Sequence, residues 1–142
     1  MSGYPVDLEQ DEGTVLVSFP DVPGARTYGD DRAEALANAV DALETMFSAM
    51  IADREDIPEP SPAQGRPTVS PTLLGSLKVE AYRAMRARGW RKADLARAMG
   101  LNPRQIDRLL DLRHASTVAQ LEQALTVCGR TIEVTAKELK AA

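Results

Sequence analysis

One cysteine, Cys128, and one histidine, His114, stand among 142 residues, and aromatic side chains make up 4%. A lone thiol excludes an intramolecular disulfide and a cysteine-clustered zinc site, and fits a reducing cytoplasm. With aromatics so scarce, the core must come from Leu, Val, Ile, Ala and Met, and a stacking platform for single-stranded nucleic acid is disfavoured. No apolar run approaches the roughly 20 residues of a membrane span, and MSGYPVDLEQDEG lacks a basic segment followed by an apolar one. A soluble, unexported cytoplasmic protein is expected. No phosphate-cradling glycine motif, serine elbow or metal-ligand cluster occurs, so neither a cofactor nor a resident metal is expected.

Charge is plentiful and unevenly placed. Residues 1–60 hold three arginines against fourteen Asp/Glu, a net −11, whereas residues 61–142 hold fourteen Lys/Arg against seven acids, a net +7. The overall −4 conceals two modules of opposite character, the second suited to nucleic acid.

YPVDLEQ, DEG and TVLVSF read as two strands and a tight turn, with Val15 and Val17 alternating against Leu16 and Ser18. PDVPG interrupts, and ARTYG supplies a third antiparallel strand. Leu36, Val40, Leu43, Phe47 and Met50 then mark one apolar face of a helix over about residues 32–53, with Asp31 as N-cap and Glu34 reaching back. IPEPSPAQGRP has linker composition, with a possible strand near Thr68 and Val69. From Thr72 the pattern is helical, with Leu73, Leu77, Ala81 and Met85 on one face, ending at Gly89. The fold class is α+β: residues 1–56 form a sheet-and-helix domain, 57–71 a linker, and 72–142 an all-α domain with a short C-terminal strand.

WRKADLARAMGLNPRQIDRLLDL has the spacing of a helix-turn-helix. Leu95, Ala96 and Met99 face inward, with Ala96 small enough for a close crossing; Gly100 turns, Leu101 plugs the gap, and Asn102-Pro103 starts the second helix. Ile106, Leu109 and Leu110 point in, while Arg104 and Arg108 share the outer face with Gln105 at its flank. These three are the base-reading candidates, because arginine can donate twice to guanine and glutamine can pair with adenine. Arg91, Lys92, Arg113 and His114 are the phosphate candidates. Nine Lys/Arg against three acids over residues 83–113 support duplex DNA as the ligand. Ser116 is expected to cap a last helix with Val118, Leu121, Leu125 and Cys128 in the core. TIEVT, residues 131–135, reads as a strand that pairs through Ile132 and Val134 with a second subunit, giving a homodimer or a higher even oligomer.

GTVLVSFPDVPGARTYGDDRAEALANAVDAL, beside RKADLARAMGLNPRQIDRLLDLRHAST, resembles the HicB family of antitoxins in its helix-turn-helix variant, over roughly residues 4–136. The resemblance implies a partial RNase H-like first domain without a working nuclease site, and a HicA-type mRNA-cleaving ribonuclease toxin as partner. It also implies repression of the operon through double-stranded operator DNA. Toxin contact falls regionally on Asp21, Val22, Tyr28 and Asp30. Asp31 stands where the family often has Ser or Thr, and all three residue types cap helices.

Two other readings make different demands. A metal-dependent nuclease needs Asp21, Asp30 and Asp31 to converge on rigid elements. A ligand-responsive regulator needs a sizeable apolar pocket in the first half. Triad chemistry has only His114 to draw on, so no catalytic residue is expected.

Overall fold

A computed structural model of the protein describes residues 3–139. The chain opens with β1 (Tyr4–Pro5), β2 (Asp7–Asp11), β3 (Thr14–Ser18) and β4 (Arg26–Gly29), and β2, β3 and β4 form one antiparallel sheet in that order. Glu12 and Gly13 both have positive φ, 48° and 80°, the geometry of a two-residue hairpin turn. The run YPVDLEQ, read as one strand, is split. Pro5 cannot donate to a continuing ladder, so Tyr4–Pro5 leaves the sheet to pair with β5 (Thr68–Val69), the strand anticipated at that place. Between them Val6 N–H donates to Pro67 O at 3.0 Å.

Asp31 caps α1 (Arg32–Ala52) by accepting from Glu34 N–H at 2.8 Å. Glu34 reaches back one residue further than a capping box requires, accepting from Asp30 N–H at 3.2 Å. The buried stripe of α1 is Ala35, Ala39, Leu43, Phe47 and Ile51, whereas Leu36, Val40 and Met50 are only partly covered. Leu43 and Phe47 are buried as expected, whereas Ala35 and Ala39 stand in for Leu36 and Val40 at the start of the helix, and Ile51 for Met50 at its end. At the start the cause is close approach to β4, where a Cβ at Gly29 would overlap the Ala35 backbone, so small residues face the sheet there. By length and composition α1 alone among the described helices is apolar enough to cross a membrane, but here it is the core helix over the sheet.

Residues 57–71 are fastened on both sides. Asp21 accepts from Ser61 N–H at 2.8 Å and from its hydroxyl at 2.6 Å, and these bonds hold the Asp21 carboxyl below its usual range. Arg83 donates to Tyr4 Oη at 3.0 Å and to the carbonyls of Pro58 and Ile57 at 2.9 and 3.3 Å.

Four helices follow: α2 (Leu73–Ala87), α3 (Lys92–Met99), α4 (Pro103–Leu110) and α5 (Val118–Val127). Leu73 is 72% exposed, and α2 instead buries Gly75, Lys78, Val79, Ala81, Tyr82, Ala84 and Met85. Thr117, not Ser116, caps α5 by accepting from Gln120 N–H at 3.1 Å. Val118 is exposed, whereas Leu121, Leu125 and Cys128 are buried, and burial pushes the Cys128 thiol up. Within the single chain residues 131–135 form no strand: Ile132 is half-buried and Val134 83% exposed, with no ladder alongside. Strand propensity alone does not satisfy a backbone, and no partner strand reaches this segment within the described residues.

The first half meets the second at a buried carboxylate. Glu44 Oε2 accepts from Thr72 N–H at 2.9 Å and from its hydroxyl at 2.8 Å, while Thr72 Oγ1 caps α2 by accepting from Gly75 N–H at 3.0 Å. Gly75 leaves room for this contact, since a Cβ there would overlap Glu44 Oε2. In an ordinary helix Gly→Ala adds stability. Gly75→Ala is expected instead to destabilise by about 1–3 kcal/mol through overpacking, read as a lower urea midpoint; a midpoint equal to or above wild type refutes the contact.

Candidate functional site

The α3–α4 pair is built from local signals. Leu95, Ala96 and Met99 bury one side of α3, Gly100 takes φ 69°, and Leu101 N–H donates to Ala96 O at 2.9 Å. Asn102 Oδ1 accepts from Gln105 N–H and Gln105 Oε1 accepts from Asn102 N–H, both at 2.9 Å, with Pro103 at the first helical position. Ile106, Leu109 and Leu110 are buried.

Arg104 and Arg108 are exposed, and neither side chain has a hydrogen bond or ion pair among the described residues. They are available together on one face. Gln105 is not equivalent to them: its Oε1 belongs to the capping box, so a bidentate pair with adenine has to break that box. Lys92 Nζ pairs with Asp107 at 2.8 Å, and Arg113 pairs with Asp41 of α1. Arg91 and His114 are exposed. Of the four phosphate candidates, two are therefore engaged within the chain.

The acids of the first half do not converge. Asp21 holds Ser61, Asp31 caps α1, and Asp30 offers its backbone to Glu34; no group of three His, Cys, Asp or Glu suited to a metal occurs among the described residues. Val22 is 1% exposed, so it packs the interior and cannot meet a partner directly. Asp21, with both oxygens engaged, likewise serves the fold. Tyr28 is 63% exposed and Asp30 is exposed. The register places Glu9, Leu16 and Tyr28 side by side on the sheet face opposite α1, with Asp7, Ser18 and Arg26 in the next row. That face has an apolar centre and an acidic edge.

Residues 3–80 match the family model described as the HicB-like antitoxin of a bacterial toxin-antitoxin system. A protein named Antitoxin HicB 2 from Photorhabdus laumondii is 39% identical over 133 residues, covering 94% of this chain and 95% of its own. The chain belongs to the HicB family of antitoxins. An Antitoxin HicB from Escherichia coli K12 is 35% identical over 92% of this chain and 96% of its own, and one from Pseudomonas fluorescens 33% over 93% and 92%. The HicB likeness thus spans both the sheet and the helices.

Two charges of this HicB-family chain escaped the sequence reading. Glu44 and Lys78 are buried, and Lys78 is 0% exposed. Lys78 Nζ donates to Arg108 O at 3.0 Å, in the last turn of α4, and to Ser116 Oγ at 2.8 Å. Both charges sit on the apolar stripes of their helices, the one signal by which sequence reasoning had access to them. Burial lowers the Lys78 ammonium from 10.5 to about 8, against the opposing pull of Asp111. Below about 8 both folded and unfolded chains hold this proton, and stability is independent of pH on its account. Between about 8 and 10.5 the unfolded chain binds the proton that the folded one has released, so stability rises with pH. Across that interval the wild type is expected to gain about 2–3 kcal/mol relative to Lys78→Met, measured by urea unfolding at each pH; parallel profiles refute it.

Proposed function

We propose that this antitoxin neutralises a cognate HicA-type mRNA-cleaving ribonuclease toxin by direct binding, and represses its own operon by binding operator DNA. The observation that carries the reading is antitoxin similarity along nearly the full length of both partners. The acidic first half receives the toxin, and the sheet face around Leu16 and Tyr28 supplies apolar contact while Asp7 and Glu9 attract a basic partner. The second half acts as a helix-turn-helix in which α4 enters the major groove, with Arg104 and Arg108 reading bases and Arg91 and His114 flanking the phosphates. Lys92 and Arg113 join them by exchanging exposed ion pairs for phosphate, at little cost. No catalytic step is assigned to the chain, which acts in the cytoplasm.

Residues 131–135 pair with the same segment of a second copy through Ile132 and Val134, which places two α4 helices about 34 Å apart, one turn of DNA. A groove of about 400 Å³ lined by Leu73, Leu77, Val118, Ile132 and Val134 supports this face as the dimer contact. The first half carries a groove of about 460 Å³ over Leu16 and Tyr28, and that is the sheet face assigned to the toxin.

Co-expression with the toxin is expected to restore growth, and Tyr28→Ala to weaken toxin binding without altering DNA binding. Arg104→Ala and Arg108→Ala are each expected to cost about 1–3 kcal/mol of operator affinity with toxin affinity unchanged. Calorimetry with the toxin and gel shift with promoter duplex check both; equal losses in the two assays defeat the division of labour.

A further inference from the structure

We propose that Lys78 is a positioning residue of the DNA-reading helix: it fixes the C-terminal end of α4, and with it the angle at which Arg104 and Arg108 leave the surface. The inference rests on the DNA-binding reading above. The Lys78 ammonium donates to the carbonyl of Arg108, the same residue whose side chain faces outward. That carbonyl lies in the last turn, where the regular i+4 bonds run out; it accepts from Asp111 N–H at 3.3 Å and, at the negative end of the helix dipole, has a second lone pair for the ammonium. An eight-residue helix is only about 12 Å long. A tilt at its anchored end therefore moves every outward side chain.

The same helix end is held from the other side. Ser48 of α1 donates its hydroxyl to Asp111 Oδ1 at 3.4 Å and accepts from Leu112 N–H at 3.2 Å. The Lys78 ammonium also donates to Ser116 Oγ, on the segment leading into α5. Three elements thus meet the exit of α4: α2 through Lys78, α1 through Ser48, and the α4–α5 connection through Ser116. Space-filling does not require a charge here, because methionine has nearly the same length, and burying an ammonium is costly. Its distinctive property is to hold two specific oxygens at once.

The test uses the full chain, a duplex from its own promoter region and a scrambled duplex of equal length. Lys78→Met is expected to melt at or above the wild-type temperature, since an apolar replacement removes a buried charge. Its affinity for the promoter duplex should fall about tenfold, the worth of one misaligned base contact, while scrambled-duplex affinity and the salt slope stay constant. Lys78→Arg should recover most of the selectivity. Wild-type selectivity in Lys78→Met overturns the proposal. If Lys78→Met does not fold, Ser116→Ala, which removes one acceptor and keeps the charge, should lower selectivity about threefold, and no change overturns it. Should the wild type itself fail to discriminate the duplexes, the DNA-binding reading is what falls. Amide exchange then decides the positioning claim: faster exchange in the last turn of α4 in Lys78→Met supports it, and unchanged exchange overturns it.

Discussion

Two buried charges of opposite sign, each placed at a helix end of complementary polarity, fix how the helices of this molecule meet. Glu44 meets the N-terminal end of α2 through Thr72, and Lys78 meets the C-terminal end of α4 through the Arg108 carbonyl. A buried charge without partners is prohibitive, but helix ends present several unsatisfied groups of one kind and a partial charge of the right sign. The contacts run in series from α1 to α2 and from α2 to α4. The first half therefore bears on the second through directed hydrogen bonds as well as apolar packing.

That arrangement leaves two faces uncommitted, of opposite character. On the sheet, Leu16 and Tyr28 lie beside Glu9 on the side turned away from α1, because α1 has already covered Val15 and Val17. On α4, burial of Ile106, Leu109 and Leu110 turns Arg104 and Arg108 outward. The segregation of −11 from +7 is thus carried onto separate surfaces. Even the ion pairs between halves, such as Arg113 with Asp41, are exposed enough to be traded for another partner.

Much of the fold was legible. The hairpin turn, the Asp31 cap, the Gly100 turn and the Asn102-Pro103 start all depend on residues within four positions of one another. The outward pair Arg104 and Arg108 followed from the same periodicity. Gln105 is a base-reading candidate by its place at the flank of that face, yet its oxygen closes a capping box, and the Asn102-to-Gln105 spacing carries that signal too. Asp21 and Val22 fall in the region expected to contact the toxin, but Asp21 ties down Ser61 forty residues away and Val22 is packed inside. Neither fact has a local signature.

By itself the chain determined its elements, caps, turns and division of charge, because hydrogen bonds over three or four residues and side-chain periodicity are local physics. Only the tertiary structure decided which stripe of α1 turns inward, since that depended on how closely β4 approaches Ala35. It also decided that Glu44 and Lys78 are interior, and that TIEVT has no ladder within the described residues. Each of these outcomes belongs to a partner distant in sequence, and proximity of that kind exists only once the chain has folded.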